Sequence, residues 1–337
     1  MRCELVASFA GPLVSYQDGG RPGLMRFGVP GSGAMDGAAL AVANVALGNP
    51  PSACGIEVSL GGLTLDCVEG ATSFAVAGGG FEVAVAGSRL GCWTMGTVRA
   101  GQRLTVRAGE FGSWAVLAFA GNVVGVPWLG SLATHSQSGF GGGMVQTGDR
   151  IVVENPEVRV AREVNLTLPD WARPKGQLRV VMGPQERFFD AEIVEQFLAE
   201  KFVLSEAYDR MGVRLRGPEL SVNAALDMPS EPVLRGSVQV AGDGVATVLL
   251  ADHQTTGGYP KIATVIGADL DGFVQKRSGD AIGFVAISAE EAVLAARKAY
   301  TELAAYLRDI ATPRGSLAER LMRANLISGV FGDDGAA

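Results

Sequence analysis

The amino-acid sequence predicts a mainly β protein with a few helices, and three observations support that fold class. Glycine accounts for 47 of the 337 residues, about twice its usual share of about 7%, and no collagen period is present. So much glycine is typical of chains with many tight turns and few long helices. Short apolar segments alternate with these glycines along most of the sequence. At about 150 residues per domain, the length favours two domains.

The first half of the chain alternates short predicted strands with glycine-rich turns. One helix interrupts them, because Asp36 is a good N-cap and the alanine-rich residues 38–47 end at Gly48-Asn49-Pro50-Pro51, which stops a helix. The predicted strands of this half include residues 72–77, 81–86, 103–106 and 114–120.

A proline-containing connection separates the two predicted domains. Between residues 155 and 175, charged residues are mixed with three prolines, a composition typical of a linker. We therefore place the first domain at residues 1–160 and the second at residues 176–310.

The second half again mixes predicted strands with helices. Residues 185–201 carry apolar side chains at helical spacing, and a capping box of Ser288 with Glu291 begins a later helix. A second capping box at Ser316 predicts a C-terminal helix and tail in residues 311–337. The predicted strands of this half include residues 178–182, 237–240, 246–250 and 281–287.

Composition and charge exclude several classes of protein. The net charge of −7 argues against nucleic-acid binding, because an acidic protein has no positive electrostatic field to neutralise the phosphates of the nucleic acid. No apolar run is long enough for a membrane span, and Glu4 stands where a signal peptide would have basic residues. The four cysteines lack metal or redox spacing, and only two histidines are present. We expect a reduced, cytoplasmic chain without a metal site.

Three polar, glycine-rich segments are candidates for chemistry. Residues 16–36 place acidic residues and arginines between glycines, which allow the backbone to approach a ligand closely. A turn-rich crossover with a buried Asp–Arg pair would explain the same composition equally well. Residues 205–212 again place Asp209 beside Arg210, although a turn with a surface ion pair would do the same. Residues 252–258 form a polar run after an apolar strand, and there we favour a ligand site.

Standard catalytic motifs offer little. The sequence has no P-loop and no G-x-S-x-G nucleophile elbow. His253 follows Asp252, but neighbouring residues on a strand point to opposite faces. The two would form a catalytic dyad only if the backbone bends there.

Motifs spread along the chain resemble the biotin-dependent carboxyltransferase-like family. This family includes the second subunit of allophanate hydrolase, the C subunit of bacterial ATP-dependent 5-oxoprolinase, the KipA proteins and part of the urea carboxylase carboxyltransferase region. The matches run in order from about residue 14 to residue 285. They include Gln17-Asp18-x-Gly20-Arg21-x-Gly23, Ser32-Gly33-Ala34-x-Asp36, Ala43-Asn44, Ile56-Glu57, Asp209-Arg210-Met211-Gly212, Ser230-Glu231, Gly236-Ser237-Val238-Gln239-Val240 and Asp252-x-Gln254-Thr255-Thr256-Gly257-Gly258-Tyr259-Pro260.

The resemblance implies two tandem cyclophilin-like β-barrel domains with a few peripheral helices and a helical C-terminus. It also implies association with a KipI-like partner, which resembles the B subunit of 5-oxoprolinase, and with a lactam hydrolase that resembles the A subunit. Cyclophilin-like topology does not imply prolyl isomerase activity. Two departures are Leu132 and Gly143, where the family often has arginine, and they favour a divergent substrate.

The same resemblance implies a component of an ATP-dependent 5-oxoprolinase, which opens 5-oxoproline to L-glutamate, or of a related amide- or urea-type enzyme. A KipA-type regulator, an allophanate hydrolase-related component and a scaffold for a complex are the alternatives. ATP would bind elsewhere in the complex, and biotin could only be carried by a partner. Predicted catalytic residues are Asp18, Arg21, Arg210, Asp252 and His253. Predicted substrate-binding residues are Gln17, Ser32, Asp36, Asn44, Glu57, Asp209, Ser230, Glu231, Gln239, Gln254, Thr255, Thr256, Gly257, Gly258 and Tyr259. We expect the loops at residues 17–21 and 252–259 to face one cleft.

Overall fold

The structure, a computed structural model, describes residues 2–163, 165–222 and 228–311. Within these ranges lie 21 strands and four α-helices, so the predicted mainly β fold class is confirmed. The capping box at Ser316 lies outside the described residues.

The first half arranges twelve strands in two antiparallel sheets around one core. The larger sheet has the order β11-β12-β1-β4-β9-β6-β7, and the smaller sheet has the order β2-β3-β10-β5-β8. Leu5 and Leu65 of the larger sheet and Ile56 and Leu117 of the smaller one belong to the same buried cluster. The strands are β1 (Arg2–Ala10), β2 (Ser15–Gln17), β3 (Gly55–Ser59), β4 (Leu63–Glu69), β5 (Ala71–Ala77), β6 (Glu82–Val85), β7 (Ser88–Gly91), β8 (Thr94–Arg99), β9 (Arg103–Arg107), β10 (Trp114–Phe119), β11 (Asn122–Val123) and β12 (Arg150–Glu154).

Helix α1 (Gly37–Leu47) is the predicted helix of the first half, and it forms as expected. The Oδ1 atom of Asp36 accepts a hydrogen bond of 2.8 Å from the backbone nitrogen of Ala39. The helix ends at Gly48, whose φ of 80° is left-handed, the conformation that glycine favours at a C-cap. Most of its side chains are apolar and buried, as expected of a helix enclosed by its own protein.

The second half closes seven of its strands into a barrel. Their order is β13-β20-β17-β18-β15-β14-β21, and β13 and β21 pair in parallel. A separate two-stranded sheet pairs β16 with β19. The strands are β13 (Gln177–Met182), β14 (Phe202–Tyr208), β15 (Gly212–Arg216), β16 (Glu231–Pro232), β17 (Ser237–Val240), β18 (Ala246–Leu249), β19 (Thr256–Gly257), β20 (Lys261–Val265) and β21 (Ala281–Ala286).

The predicted helix at residues 185–201 is shorter than expected. A 3-10 turn covers Glu186–Phe188, and α2 (Ala191–Ala199) follows it. The extended backbone of Phe189 and Asp190 separates the 3-10 turn from α2, and Gln185 before the turn is bonded to strand β20. Its backbone nitrogen donates to the Lys261 carbonyl at 3.3 Å, and its Oε1 accepts from the Lys261 nitrogen at 2.9 Å.

Two further helices follow in the second half, α3 (Gly267–Phe273) and α4 (Ala289–Ala311). The predicted capping box at the start of α4 is confirmed. Ser288 nitrogen donates to the Glu291 carboxylate at 2.8 Å, and Glu291 nitrogen donates to Ser288 Oγ at 3.1 Å. None of the described helices has the length and apolar character needed to cross a bilayer.

Helix α4 leaves the barrel and packs against α1 of the first half. Near its end, the ring of Tyr306 meets those of Trp93 and Trp171 edge-on, with centroids 6.4 and 5.8 Å away. The Tyr306 hydroxyl donates to the Thr167 carbonyl at 2.7 Å. Met35 and Trp114 of the first half also join the buried apolar cluster of the barrel. The two halves therefore share apolar contacts at more than one place.

Candidate functional site

A buried ion cluster lies where the two halves meet. Arg210, Glu57 and Asp252 are all fully buried. Arg210 donates from Nε and Nη2 to the two oxygens of Asp252, at 3.0 and 3.1 Å. Its Nη1 donates to Glu57 of the first half, and its Nη2 also reaches the carbonyl of Gly33 at 2.6 Å. Both carboxylates have a backbone donor as well, from Met35 and Ser136 respectively.

The two carboxylates share one guanidinium, and their protonation equilibria differ. Burial raises the pKa of Glu57, against the opposing effect of the Arg210 charge. Burial would also raise the pKa of Asp252, but the bidentate contact with Arg210 prevails and lowers it. This geometry assigns the three charges to joining the halves, because each side-chain nitrogen of Arg210 already has an acceptor within the protein. A catalytic role for Arg210 or Asp252 stays a prediction.

The polar side chains of residues 17–21 form their hydrogen bonds with other residues of the first half. Asp18 accepts from Gly20 nitrogen at 2.8 Å, from Ser131 Oγ at 2.6 Å and from Leu132 nitrogen at 2.7 Å. Arg21 is 2% exposed and donates to the carbonyls of the same segment, residues 128–133. Gln17 is fully buried, and its amide nitrogen donates to Ser15 Oγ and the Thr134 carbonyl.

The other predicted residues of the first half also have structural contacts. The N-cap Asp36 accepts from Gln275 Nε2 at 2.7 Å, and burial raises its pKa to about 7. Asn44 lies inside α1 and donates to the carbonyls of Leu40 and Ala53. Ser32 adopts a φ of 50°, and its buried hydroxyl has no hydrogen-bond partner among the described residues.

A cleft of about 630 Å³ opens on the barrel of the second half. Four of the predicted substrate-binding residues line it, namely Asp209, Gln239, Gln254 and Tyr259. Residues 17–21 do not line it, so the loops at residues 17–21 and 252–259 do not share this cleft. They are nevertheless close, because both contact the segment from Ser131 to Ser136. The other lining residues are Glu206, Ala207, Tyr208, Met211, Gly212, Arg214, Ala241, Thr247 and Leu249.

Strand ends and a glycine position the polar groups of the cleft. Asp209 forms the turn between β14 and β15, where its Oδ1 accepts from Met211 nitrogen at 2.7 Å. Gln254 Nε2 donates to Gln239 Oε1 at 3.1 Å. Gly257 lies against them, and a Cβ there, 2.5 Å from Gln239 Nε2, would displace the Gln239 amide. Amide, hydroxyl and carboxylate groups thus converge on a partly apolar cleft, as in small-molecule sites.

The remaining predicted residues surround this cleft without lining it. Ser230 and Thr256 are exposed, and Thr255 and Gly258 are half-buried. His253 is 4% exposed, and its Nδ1 contacts the Gln254 carbonyl at 2.6 Å. Burial lowers the pKa of His253, which keeps the ring neutral.

Two further residues, Lys261 and Gln185, lie beside the predicted ones and were not expected from the sequence. Gln185 Nε2 donates to the carboxylate of Glu231, and Lys261 begins β20 directly after the polar loop. Both are almost fully buried. The signal that could have found them is the charged residue directly after Tyr259-Pro260, at the start of an otherwise apolar strand.

Comparisons with known proteins agree with this fold and with the predicted resemblance. Residues 27–286 match the model of the carboxyltransferase domain, subdomain A and B. Over 289 residues the chain is 34% identical to the 5-oxoprolinase C subunit of Escherichia coli strain K12, covering 85% of this chain and 92% of that protein.

Two solved structures are also similar. TTHA0988 has a TM-score of 0.75 and 29% identity over 84% of this chain and 56% of its own. The urea amidolyase of K. lactis has a TM-score of 0.79 and 26% identity over 90% of this chain and 20% of its own. The chain therefore spans about half of TTHA0988 and one region of the amidolyase. On the evidence of its motifs, its fold and the matched range, this chain belongs to the family of the carboxyltransferase domain, subdomain A and B.

Proposed function

We propose that this chain is one component of an ATP-dependent 5-oxoprolinase complex, which opens 5-oxoproline to L-glutamate. The observation that carries the proposal is the cleft on the barrel, where Gln239, Gln254 and Tyr259 converge. The relationship to the 5-oxoprolinase C subunit supports the choice of substrate.

The side chains of the cleft suit a small amide or lactam. Each glutamine amide both donates and accepts hydrogen bonds, so the pair can bind the N–H and the carbonyl of a lactam. The Tyr259 hydroxyl can donate or accept, and its ring, 52% exposed, offers an apolar surface to the ring of the substrate. Glu206 and Asp209 add carboxylates at the rim, which can accept a hydrogen bond from a substrate N–H.

The same cleft is poorly suited to the phosphates of ATP. Its lining includes the carboxylates of Glu206 and Asp209, and its one arginine, Arg214, is paired with Asp243 at 2.6 Å. A triphosphate would therefore meet repulsion with little compensation. We place ATP on a partner, together with any biotin. The proposed partners are a KipI-like protein that resembles the B subunit of 5-oxoprolinase and a lactam hydrolase that resembles the A subunit. We propose that the complex is cytoplasmic.

Reconstitution tests this proposal. The purified chain alone should show no ATP hydrolysis that depends on 5-oxoproline, because none of its described side chains activates the stable lactam. Addition of its A-like and B-like partners should produce that hydrolysis together with glutamate. The two partners without this chain are the matched control. Full activity of the partners alone, or robust turnover by this chain alone, would contradict the proposal.

A urea- or allophanate-directed enzyme is the second candidate, favoured by the structural likeness to the urea amidolyase of K. lactis over 90% of this chain. The same assay distinguishes it, with urea or allophanate in place of 5-oxoproline. Turnover of those compounds and none of 5-oxoproline would reverse the order of the two proposals.

A further inference from the structure

Two buried nitrogen donors beside the cleft lack acceptors. Lys261 is 2% exposed and Gln239 is 5% exposed. Lys261 Nζ and Gln239 Nε2 are both buried, with no hydrogen-bond partner among the described residues. A buried donor without an acceptor is costly, because it loses its bonds to water without replacement, and a buried ammonium is more costly still. Atoms of Gln17, Arg21, Ser32 and Arg235 also lack partners among the described residues, but none of these four residues lines the cleft. Gln239 lines it and Lys261 is its strand partner, so this pair of donors indicates that a ligand completes the arrangement.

The strand pairing brings the two donors to one face. Gln239 on β17 and Lys261 on β20 are partners in an antiparallel pair, directly after a register shift between Val238 and Gln239. Side chains of paired residues project to the same side of a sheet. On that side, Gln239 lines the cleft. Gln254 Nε2 already donates to Gln239 Oε1 at 3.1 Å, so the Gln239 amide is oriented with its own nitrogen unused.

Lys261 has no ion-pair partner among the described residues. Burial lowers the pKa of Lys261, and the charge of Glu231 only partly opposes this effect. Glu231 itself accepts from Gln185 Nε2 and makes no ion pair with Lys261 within 4 Å among the described contacts. An anionic oxygen placed between Lys261 and Gln239 would satisfy both donors through charge-assisted hydrogen bonds.

We infer that Lys261 Nζ and Gln239 Nε2 form a carboxylate subsite of the cleft, which selects small amides or lactams that also carry a carboxylate. The inference rests on the proposed function, because 5-oxoproline has both a lactam and a carboxylate. It adds the requirement that the carboxylate, and not only the amide, is recognised. Allophanate fulfils this requirement, whereas urea and 2-pyrrolidinone do not.

Calorimetric titration of the full chain with these four compounds tests the subsite. We expect Lys261→Met to weaken binding of 5-oxoproline by about ten- to a hundredfold, the loss typical of a hydrogen bond to a charged group. Binding of 2-pyrrolidinone, which lacks the carboxylate, should change little. Lys261→Arg should recover part of the affinity because it keeps the charge. Lys201→Met, which removes an exposed lysine, is the matched control, and thermal unfolding verifies that each variant is folded.

The outcomes separate the subsite from the proposed function. Equal effects of Lys261→Met on 5-oxoproline and 2-pyrrolidinone, or no effect on either, would overturn the subsite and leave the proposed function intact. Binding of allophanate but not 5-oxoproline, lost in Lys261→Met, would support the subsite and contradict the proposed substrate. Binding of the uncharged compounds alone would overturn the subsite, and the reconstitution assay would then decide the function separately.

Discussion

The two halves of the chain each contain a polar, glycine-rich loop, and they use these loops in opposite ways. In the first half, Asp18 and Arg21 bond to the neighbouring backbone and lie away from the cleft. In the second half, the loop after Asp252 places Gln254 and Tyr259 in the cleft. The two loops look alike in sequence. Unpartnered atoms alone do not separate them, because Gln17 Oε1 and Arg21 Nη1 of the first loop also lack hydrogen-bond partners among the described residues. What separates them is that residues 17–21 do not line the cleft, whereas Gln254 and Tyr259 do.

This contrast teaches how to interpret a buried polar segment. Polar groups that the protein satisfies stabilise the fold, whereas a group left without a partner is available to a ligand where its side chain also lines a cleft. Asp252 and Arg210 belong to the first kind, although they border the second loop. Substitution of a polar group that the protein satisfies should therefore reduce mainly stability. Substitution of a polar group available to a ligand should reduce mainly activity.

Arg210→Met should produce the largest loss of stability. The substitution leaves the buried carboxylates of Glu57 and Asp252 without their cation, and breaking a buried pair in this way costs about 3–5 kcal/mol. Urea unfolding measures the free energy. Arg214→Met is the control, because its pair with Asp243 is about half exposed and contributes at most about 1 kcal/mol. Similar losses of unfolding free energy in Arg210→Met and Arg214→Met would contradict the distinction between the buried ion cluster and a surface ion pair.

Asp18→Ala should destabilise the chain by about 1–3 kcal/mol, because three donors lose their acceptor. Asp209→Ala is the matched change in the second half, since Asp209 also accepts from two backbone nitrogens but is exposed to water. Its free energy of unfolding should fall less. The division between the loops would fail if Asp209→Ala were the more destabilising of the two.

Gln254→Ala should reverse that pattern and affect function more than stability. We expect kcat/KM of the reconstituted complex to fall by about three- to tenfold, the value of one neutral hydrogen bond. The Tm of the chain should stay close to that of the wild type. Gln146→Ala, on the surface of the first half, serves as the control. An unchanged kcat/KM would remove Gln254 from the site.

A further prediction concerns the dependence of stability on pH. Burial raises the pKa of Asp36 from its ordinary value of 3.8 to about 7, so the folded chain binds a proton that the unfolded chain has released. The contribution of this group to stability is present below about pH 4 and is lost as the pH rises towards 7. Asp36→Asn cannot titrate, so the Tm of the wild type relative to this variant should decline between these pH values. A constant difference would contradict the shifted pKa.

Local patterns predicted much of the fold. Caps located α1 and α4 to within a residue, because Asp36 and Ser288 bond the backbone a few positions away. The extent of α2 was wrong, because Phe189 and Asp190 are extended and begin the helix later than predicted. The contact of Gln185 with Lys261, which no local pattern contains, holds the start of the predicted helix against β20. The arrangement of the first twelve strands as two sheets around one core likewise depends on pairing between distant segments.

The candidate site was predictable only in part, for the same reason. Gln239, Gln254 and Tyr259 were recognised from their motifs, and the cleft brings them together. Arg210 was recognised too, but its burial against Glu57, 153 positions away, follows from tertiary structure. Lys261 was overlooked although a charged residue at the start of an apolar strand is visible in the sequence; that its ammonium lacks an acceptor is seen only in the structure.

The course of helix α4 has a consequence for the connectivity of the molecule. The helix begins at the barrel and spans about 35 Å at 1.5 Å per residue over its 23 residues. It ends against Trp93 of the first half and Trp171 of the connecting segment. The chain thus crosses between its halves twice, once through residues 155–175 and once through this helix. Cleavage of the first crossing would leave two polypeptides bound to each other as a non-covalent heterodimer. Such a nicked chain should migrate at the size of the intact one and separate only in denaturant.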